Sequence, residues 1–305
     1  MTPHWEVPRG WDETDIDVQR GRRFLVTGAT SGLGAATARA LCSLGAHVTV
    51  AARNTARAEA VVAAGGATDV LTLDLADLSS VRAAAASISE PYDVVILNAG
   101  VMWTPYRLTR DGFESQVGIN HLGHFAFAGL IAPLIRDRIV TVSSLYQRYG
   151  SFGDGSVSEI RRRCWGQAPY SARAAYGDSK LANMLFTAEV QRRREGSGWP
   201  FLAVAAHPGW SNTNLFAEAG ATHGSLGTVA RWSTRWLAQS AARGALPQLC
   251  AATWPGVRSG DYFGPRGPGQ LRGSPRLVAP TGRAREAQLA ADLWRVSQEV
   301  TGVEW

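Results

Sequence analysis

Residues 24–27 (Phe-Leu-Val-Thr) run directly into Gly28-Ala29-Thr30-Ser31-Gly32-Leu33-Gly34, and an alanine- and leucine-rich segment follows to Leu44. A short apolar run, a glycine-rich turn and a helix-like stretch make a strand–turn–helix unit. Glycines at 28, 32 and 34 let the backbone approach a bound group closely. The first turn of the helix offers unpaired N–H groups to an anion. The unit therefore predicts a cradle for the diphosphate of a dinucleotide, with Gly28, Thr30, Ser31, Gly32, Leu33 and Gly34 as its contacts. Its spacing is GxxxGxG, not the commoner GxGxxG.

The same alternation continues along the chain. Apolar runs at 47–51, 70–73, 93–97, 138–142 and 201–206 read as strands, with one more short strand near Tyr262-Phe263. Helical patterns lie between them at 57–64, 78–88, 112–135 and 174–193, and an amphipathic one closes the chain at 284–300. Strands alternating with helices imply right-handed crossovers and a parallel sheet. Apolar runs without in–out alternation imply burial on both faces. The expectation is an α/β chain with a Rossmann-type, doubly wound parallel sheet of about seven strands in a single domain. That domain covers residues 22–305, after an N-terminal extension at 1–21. The stretch 255–282 reads as loop apart from the one strand.

Composition excludes several alternatives. With 45% hydrophobic and 18% charged residues, the chain is globular. The net charge of +6 is dispersed; its densest cluster is Arg161-Arg162-Arg163, without interleaved aromatics, so no nucleic-acid partner is expected. Cys42, Cys164 and Cys250 are far apart, which indicates neither a disulfide framework nor a zinc site. His121 and His124 share a helix face but have no carboxylate nearby in sequence, and no metal is expected. No signal peptide is evident, and the apolar stretch 125–135 is too short to span a bilayer. The expectation is a cytoplasmic protein without a membrane partner.

Other candidate positions fall at strand ends, where open parallel sheets bind ligands. The second strand ends in Ala51-Ala52-Arg53. Many dinucleotide folds place an acid there for the adenosine ribose; here a guanidinium is available to a 2′-phosphate, which favours NADP(H) over NAD(H). The alternative is a solvated loop arginine. Asp74 and Leu75 follow the third strand, and Asp74 either meets the adenine edge or caps the next helix. Asn98-Ala99-Gly100 close the fourth strand with small residues. Tyr176 and Lys180 stand four apart on one helix face. An ordinary tyrosine pKa near 10 is too high for acid/base work at neutral pH, and an adjacent ammonium with an oxidised nicotinamide would lower it. Lys180 is the only lysine in the chain; the other 30 basic residues are arginine.

TGATSGLG, NAG, Ser143-Ser144, YGDSK and His207-Pro208-Gly209 with Thr213 stand in the order of the short-chain dehydrogenase/reductase family. The resemblance spans about residues 22–265. AARN, VGINHLGHF, SSLYQR, SKLANMLF and HPGWSNTNL look most like its retinol-dehydrogenase and protochlorophyllide-reductase-like branch. The resemblance implies Tyr176 as general acid/base, with Ser144 on the carbonyl or alkoxide oxygen and Ser143 as runner-up. It implies Lys180 on the nicotinamide ribose, Asn120 holding a proton-relay water, and Pro208, Gly209 and Thr213 beside the carboxamide. The link from Ser144 to Tyr176 is longer than in many members. Its insert at 145–175, with Tyr146, Tyr149, Phe152 and Trp165, is expected to line or cover the substrate mouth, and residues 209–245 to form a lid. Trp103, Trp165 and Trp210 are expected near an apolar substrate, while His207 reads as a packed strand-end residue.

The implied protein is an NADP(H)-dependent oxidoreductase acting on an alcohol or carbonyl of a small, apolar substrate, assembled as a homodimer or homotetramer. The alternatives are an NAD-preferring dehydrogenase of the same fold and a non-catalytic cofactor-sensing regulator.

Overall fold

Strand β1 (Arg23–Thr27) lies inside an eight-stranded sheet. The computed structural model describes residues 6–210 and 239–305. The other strands are β2 (His47–Ala52), β3 (Asp69–Thr72), β4 (Tyr92–Leu97), β5 (Ile135–Val142), β6 (Leu202–Ala206), β7 (Tyr262–Pro265) and β8 (Pro275–Leu277). Their order is β3-β2-β1-β4-β5-β6-β7-β8, parallel as far as β7, with β8 antiparallel at the edge. The chain reverses direction across the sheet between β1 and β4, which opens a crevice at the carboxyl ends of those strands. The eighth strand lies inside the 255–282 stretch that reads as loop. It is three residues long, too short for a periodic signal.

Alternate strand residues feed two separate cores. Phe24, Val26, Val48, Val50, Val94, Ile96 and Val140 face one side. Leu25, Val95, Leu97, Ile139 and Ala203 face the other. Helices α1 (Gly32–Ser43), α2 (Thr55–Ala63) and α8 (Ala241–Thr253) belong to the first face. Helices α3 (Leu78–Ala86), α5 (Gly123–Ile131), α7 (Ala172–Ser197) and α9 (Ala287–Thr301) belong to the second. Burial on both faces is why the strands carry no polar alternation.

The segment at 112–135 departs from a plain helix. It begins at α4 (Ser115–Val117), continues through a π-helical turn (Gly118–Leu122) and then becomes α5. Glu114 starts it by accepting from Gln116 N and Val117 N. The helical stretch Ser115–Leu134 has 20 residues, with a mean hydropathy of 1.3 over its most apolar 18, and that window lies mostly buried within the fold, as a central core helix must.

Residues 6–21 pack as part of the domain, not as an appendage to it. Val7, Trp11 and Ile16 are buried in the first core, and Arg266 Nη2 holds the Val7 carbonyl at 2.9 Å. The insert at 145–175 forms a 3-10 turn (Leu145–Tyr149) and helix α6 (Val157–Cys164). The Arg161–Arg163 cluster on α6 is absorbed by ion pairs to Glu299, Glu159 and Asp178.

Candidate active site

Among the described residues, side-chain N-caps are made by Asn54 on α2, Asp77 on α3, Glu114 on α4, Ser156 on α6, Ser171 on α7 and Ser240 on α8. Helix α1 differs. Its N-cap Ser31 makes no side-chain cap bond, so the hydroxyl does not occupy the first-turn amides. Those amides open on a cavity of about 640 Å³ at the sheet crevice. The glycine turn holds its shape because Gly28 (φ 68°) lies against Ala99, where a Cβ would come within 2.8 Å. Gly34 is equally confined, with a Cβ position 2.6 Å from Asn98 Nδ2.

That single cavity is lined by Gly28, Thr30, Ser31, Gly32, Leu33, Gly34, Arg53, Asp74, Leu75, Asn98, Ala99, Gly100, Ser144, Tyr176, Lys180, Pro208 and Gly209. Thr213, and most of the expected lid at 209–245, lie outside the described residues. Asp74 does not cap α3: Asp77 does, while Asp74 accepts from Ala76 N. Asn98 bonds inward, with Nδ2 donating to the Thr27 carbonyl at 2.8 Å. It thereby ties the ends of β1 and β4 together and leaves the cavity side to backbone and small residues.

Tyr176 and Lys180 are both buried on α7. Lys180 Nζ lies 5.8 Å from the centre of the Tyr176 ring and donates to the Val142 carbonyl at 3.1 Å. A side chain at Gly100 would come within 3.4 Å of that ammonium, so the glycine keeps space open beside it. Burial pushes the Tyr176 phenol up to about 12, against a lowering hydrogen bond from Ser144. Burial brings Lys180 down to about 8. Among the protein's own groups desolvation outweighs the Ser144 hydrogen bond, whereas the lowered phenol expected from the sequence includes an oxidised nicotinamide beside the ammonium. The two serines also differ. Ser143 Oγ is turned away, donating to the Lys180 carbonyl at 2.8 Å, whereas Ser144 hydrogen-bonds Tyr176 and accepts from Tyr146 N.

Asn120 is buried in the long helical segment, as expected. It sits in the π turn, behind the cavity wall. Oδ1 accepts from Val101 N at 2.8 Å, and Nδ2 donates to Val101 O and Ser179 Oγ. Its side chain fixes the loop after β4 to α7, and Oδ1, which keeps a second lone pair, borders the space at Gly100 that Lys180 Nζ also borders, 3.1 and 3.4 Å from the glycine's Cβ position. The neighbouring histidines are also structural. Since the Asn120 carbonyl can only accept, His124 Nδ1 carries the proton, and Nε2 accepts from the Thr27 hydroxyl at 2.8 Å. His121 pairs with Ser297 Oγ at 2.9 Å. His207 is a buried strand-end residue bonded to Gln270 Oε1.

At the substrate end, Trp103, Tyr146, Tyr149 and Trp210 line the cavity, joined by Met102 and Leu271. Trp103 meets Tyr146 edge-on at 5.5 Å, and Tyr146 lies 5.6 Å from Tyr176. Trp103 holds a positive φ of 52°, a strained conformation for a bulky residue that persists only where the surroundings enforce it. Gln116 does so by accepting from Trp103 N. Two expected mouth residues are not there: Phe152 is fully buried in the core, and Trp165 packs on Phe113 at 4.8 Å. Met102, Leu271 and the basic Arg57 and Arg148 were not legible as cavity residues, because loop residues carry no periodic signal.

The chain matches the family model described as short chain dehydrogenase over residues 22–156. It is 36% identical to retinol dehydrogenase 14 of Mus musculus, covering 95% of this chain and 88% of that protein. Polyprenol dehydrogenase of Mus musculus is 35% identical, with coverages of 93% and 85%. The crystal structure of an uncharacterized protein from Mycobacterium paratuberculosis superposes with a TM-score of 0.82 at 41% identity, covering 97% of this chain and 98% of the other. The chain belongs to the short-chain dehydrogenase/reductase family, in its retinol-dehydrogenase-like branch, and is an NAD(P)-dependent oxidoreductase acting on CH–OH or C=O groups.

Proposed function

We propose that the chain uses NADP(H) to interconvert an alcohol and a carbonyl on an apolar substrate. One observation carries the cofactor preference. Arg53, at the end of β2, lines the same cavity as the glycine turn and has no ion-pair partner among the described residues. The only carboxylate among the described lining residues is Asp74, beyond β3. A 2′-phosphate at this end would meet a free guanidinium, with Arg57 one helical turn further on. The fit extends along the crevice: open α1 amides suit a diphosphate, and the space kept by Gly100 beside Lys180 suits a ribose.

When bound, the nicotinamide supplies or accepts the hydride. The protein's own groups do the rest. Tyr176 Oη transfers a proton to or from the substrate oxygen, and Ser144, bonded to that phenol, orients the same oxygen. Lys180 stabilises phenolate when the phenol has given up its proton. The high resting pKa of Tyr176 keeps it protonated and suits the reductive direction. The aromatic wall of Trp103, Tyr146 and Tyr149 supports an apolar or ring-bearing substrate.

The cofactor reading is tested by NADPH and NADH affinities of the wild type and of Arg53→Asp. A charge-assisted bond is worth about 1.5–3 kcal/mol, so NADPH should weaken by about tenfold or more while NADH changes little. Tighter wild-type binding of NADH than NADPH would refute it.

A further inference from the structure

The catalytic helix carries one acidic residue between Tyr176 and Lys180, and this residue faces away from the cavity. Asp178 is 2% exposed and has three partners on the 145–175 insert. Its Oδ1 accepts from Ser151 N at 2.8 Å and Phe152 N at 3.0 Å, and its Oδ2 pairs with Arg163 Nη1 at 2.6 Å. Arg163 is itself held by Glu159, so the carboxylate gathers both the turn at 151–153 and helix α6.

The turn it gathers is one that needs holding. Phe152 has φ 49°, left-handed for a bulky residue, and Gly153 follows at 63°. Such a conformation is strained and relaxes unless its groups are pinned. Asp178 takes the turn's N–H groups. From the other side, Arg283 takes its carbonyls, donating to Ser151 O and to Gly153 O. The approach is also steric. A Cβ at Gly150 would lie 2.4 Å from Gly177 O, so backbone touches backbone one residue from Tyr176.

The residues immediately before this clamp are the substrate wall. Ser144, Tyr146 and Tyr149 lie on the 3-10 turn that ends at Gly150, and all three line the cavity. The cofactor half of the cavity, from Gly28 to Arg53, is built by other elements and has no bond to Asp178. The register of the wall against Tyr176 is therefore set from behind, by a buried carboxylate on the catalytic helix.

We infer that Asp178 is a positioning residue that fixes the Ser144–Tyr149 wall relative to the Tyr176 phenol. It acts on the substrate side alone. Small displacements of an oriented group lower turnover steeply, so loosening the clamp should affect carbonyl reduction and leave cofactor binding intact. This rests on the proposed oxidoreductase reading.

The test uses Asp178→Asn, which keeps an acceptor for the two N–H groups but removes the charge facing Arg163, together with Arg163→Gln and the double variant. Benzaldehyde reduction is followed by NADPH absorbance, NADPH affinity by fluorescence, and amide exchange by mass spectrometry. Each single variant should lower kcat/KM by about tenfold, with the double variant no worse than either, because they break one link. NADPH affinity should stay within about twofold, and exchange should rise in peptides spanning 145–165 but not 24–44. Unchanged kcat/KM, additive losses, or a parallel loss of NADPH binding would overturn the inference. Where Asp178→Asn folds poorly, Arg163→Gln decides alone by the same criteria. If wild-type protein binds NADPH yet reduces no carbonyl, the functional reading fails instead, and the exchange pattern still judges the clamp.

Discussion

Lys180 Nζ reaches the Val142 carbonyl at 3.1 Å while lying 5.8 Å from the centre of the Tyr176 ring. The only lysine of the chain is thus anchored between the end of β5 and the phenol that the mechanism uses. Lys180→Arg keeps the charge but replaces a compact ammonium with a planar fork, which would fill the space that Gly100 keeps open beside Nζ. Turnover should fall by about 100-fold, with the melting temperature little changed. Steady-state kinetics at saturating NADPH check this; near-wild-type turnover would show that any cation suffices.

Trp11 is fully buried in the first core although it precedes the first strand. Trp11→Ala should cost about 3 kcal/mol or more through lost contacts and the cavity left behind. Chemical denaturation measures the cost. A loss below about 1 kcal/mol would mean that the segment before β1 is only loosely attached.

Three buried histidines predict acid sensitivity. Burial lowers His121 to about 3 and His124 and His207 to about 4. Below the ordinary histidine pKa of 6.5, the unfolded chain binds protons that the folded chain refuses. Stability is therefore full above about pH 6.5 and falls as the pH drops toward 4, by up to about 1.4 kcal/mol per pH unit for each histidine. Melting curves from pH 7.5 to 5.0 should show a progressive fall, and a flat profile would mean that these rings take up protons while folded.

Much of this was legible in the sequence, for identifiable reasons. The strand–turn–helix at Gly28–Gly34, the strand ends and the Tyr176/Lys180 spacing are local patterns, and the fold brings them to one cavity. Other features depend on contacts between distant residues. Asn120 reads as a relay residue, and that its amide also pins Val101, 19 positions away, is something no local pattern carries. Phe152 and Trp165 read as mouth aromatics, but the insert folds their rings onto core residues. The edge strand β8 forms because β7 offers it a partner. The raised Tyr176 phenol reflects burial, which no spacing encodes.

Tyr176 is proposed to transfer the proton in a reaction supported by NADP(H). Tyr176→Phe removes the phenolic oxygen and keeps the ring that packs against Tyr146. The deciding measurement is carbonyl reduction by this variant beside its NADPH affinity. Turnover should fall by about 100-fold or more, the range that a positioned acid contributes, while NADPH binds as in the wild type. Turnover within a few fold of wild type would show that the Tyr176 phenol is not the proton donor.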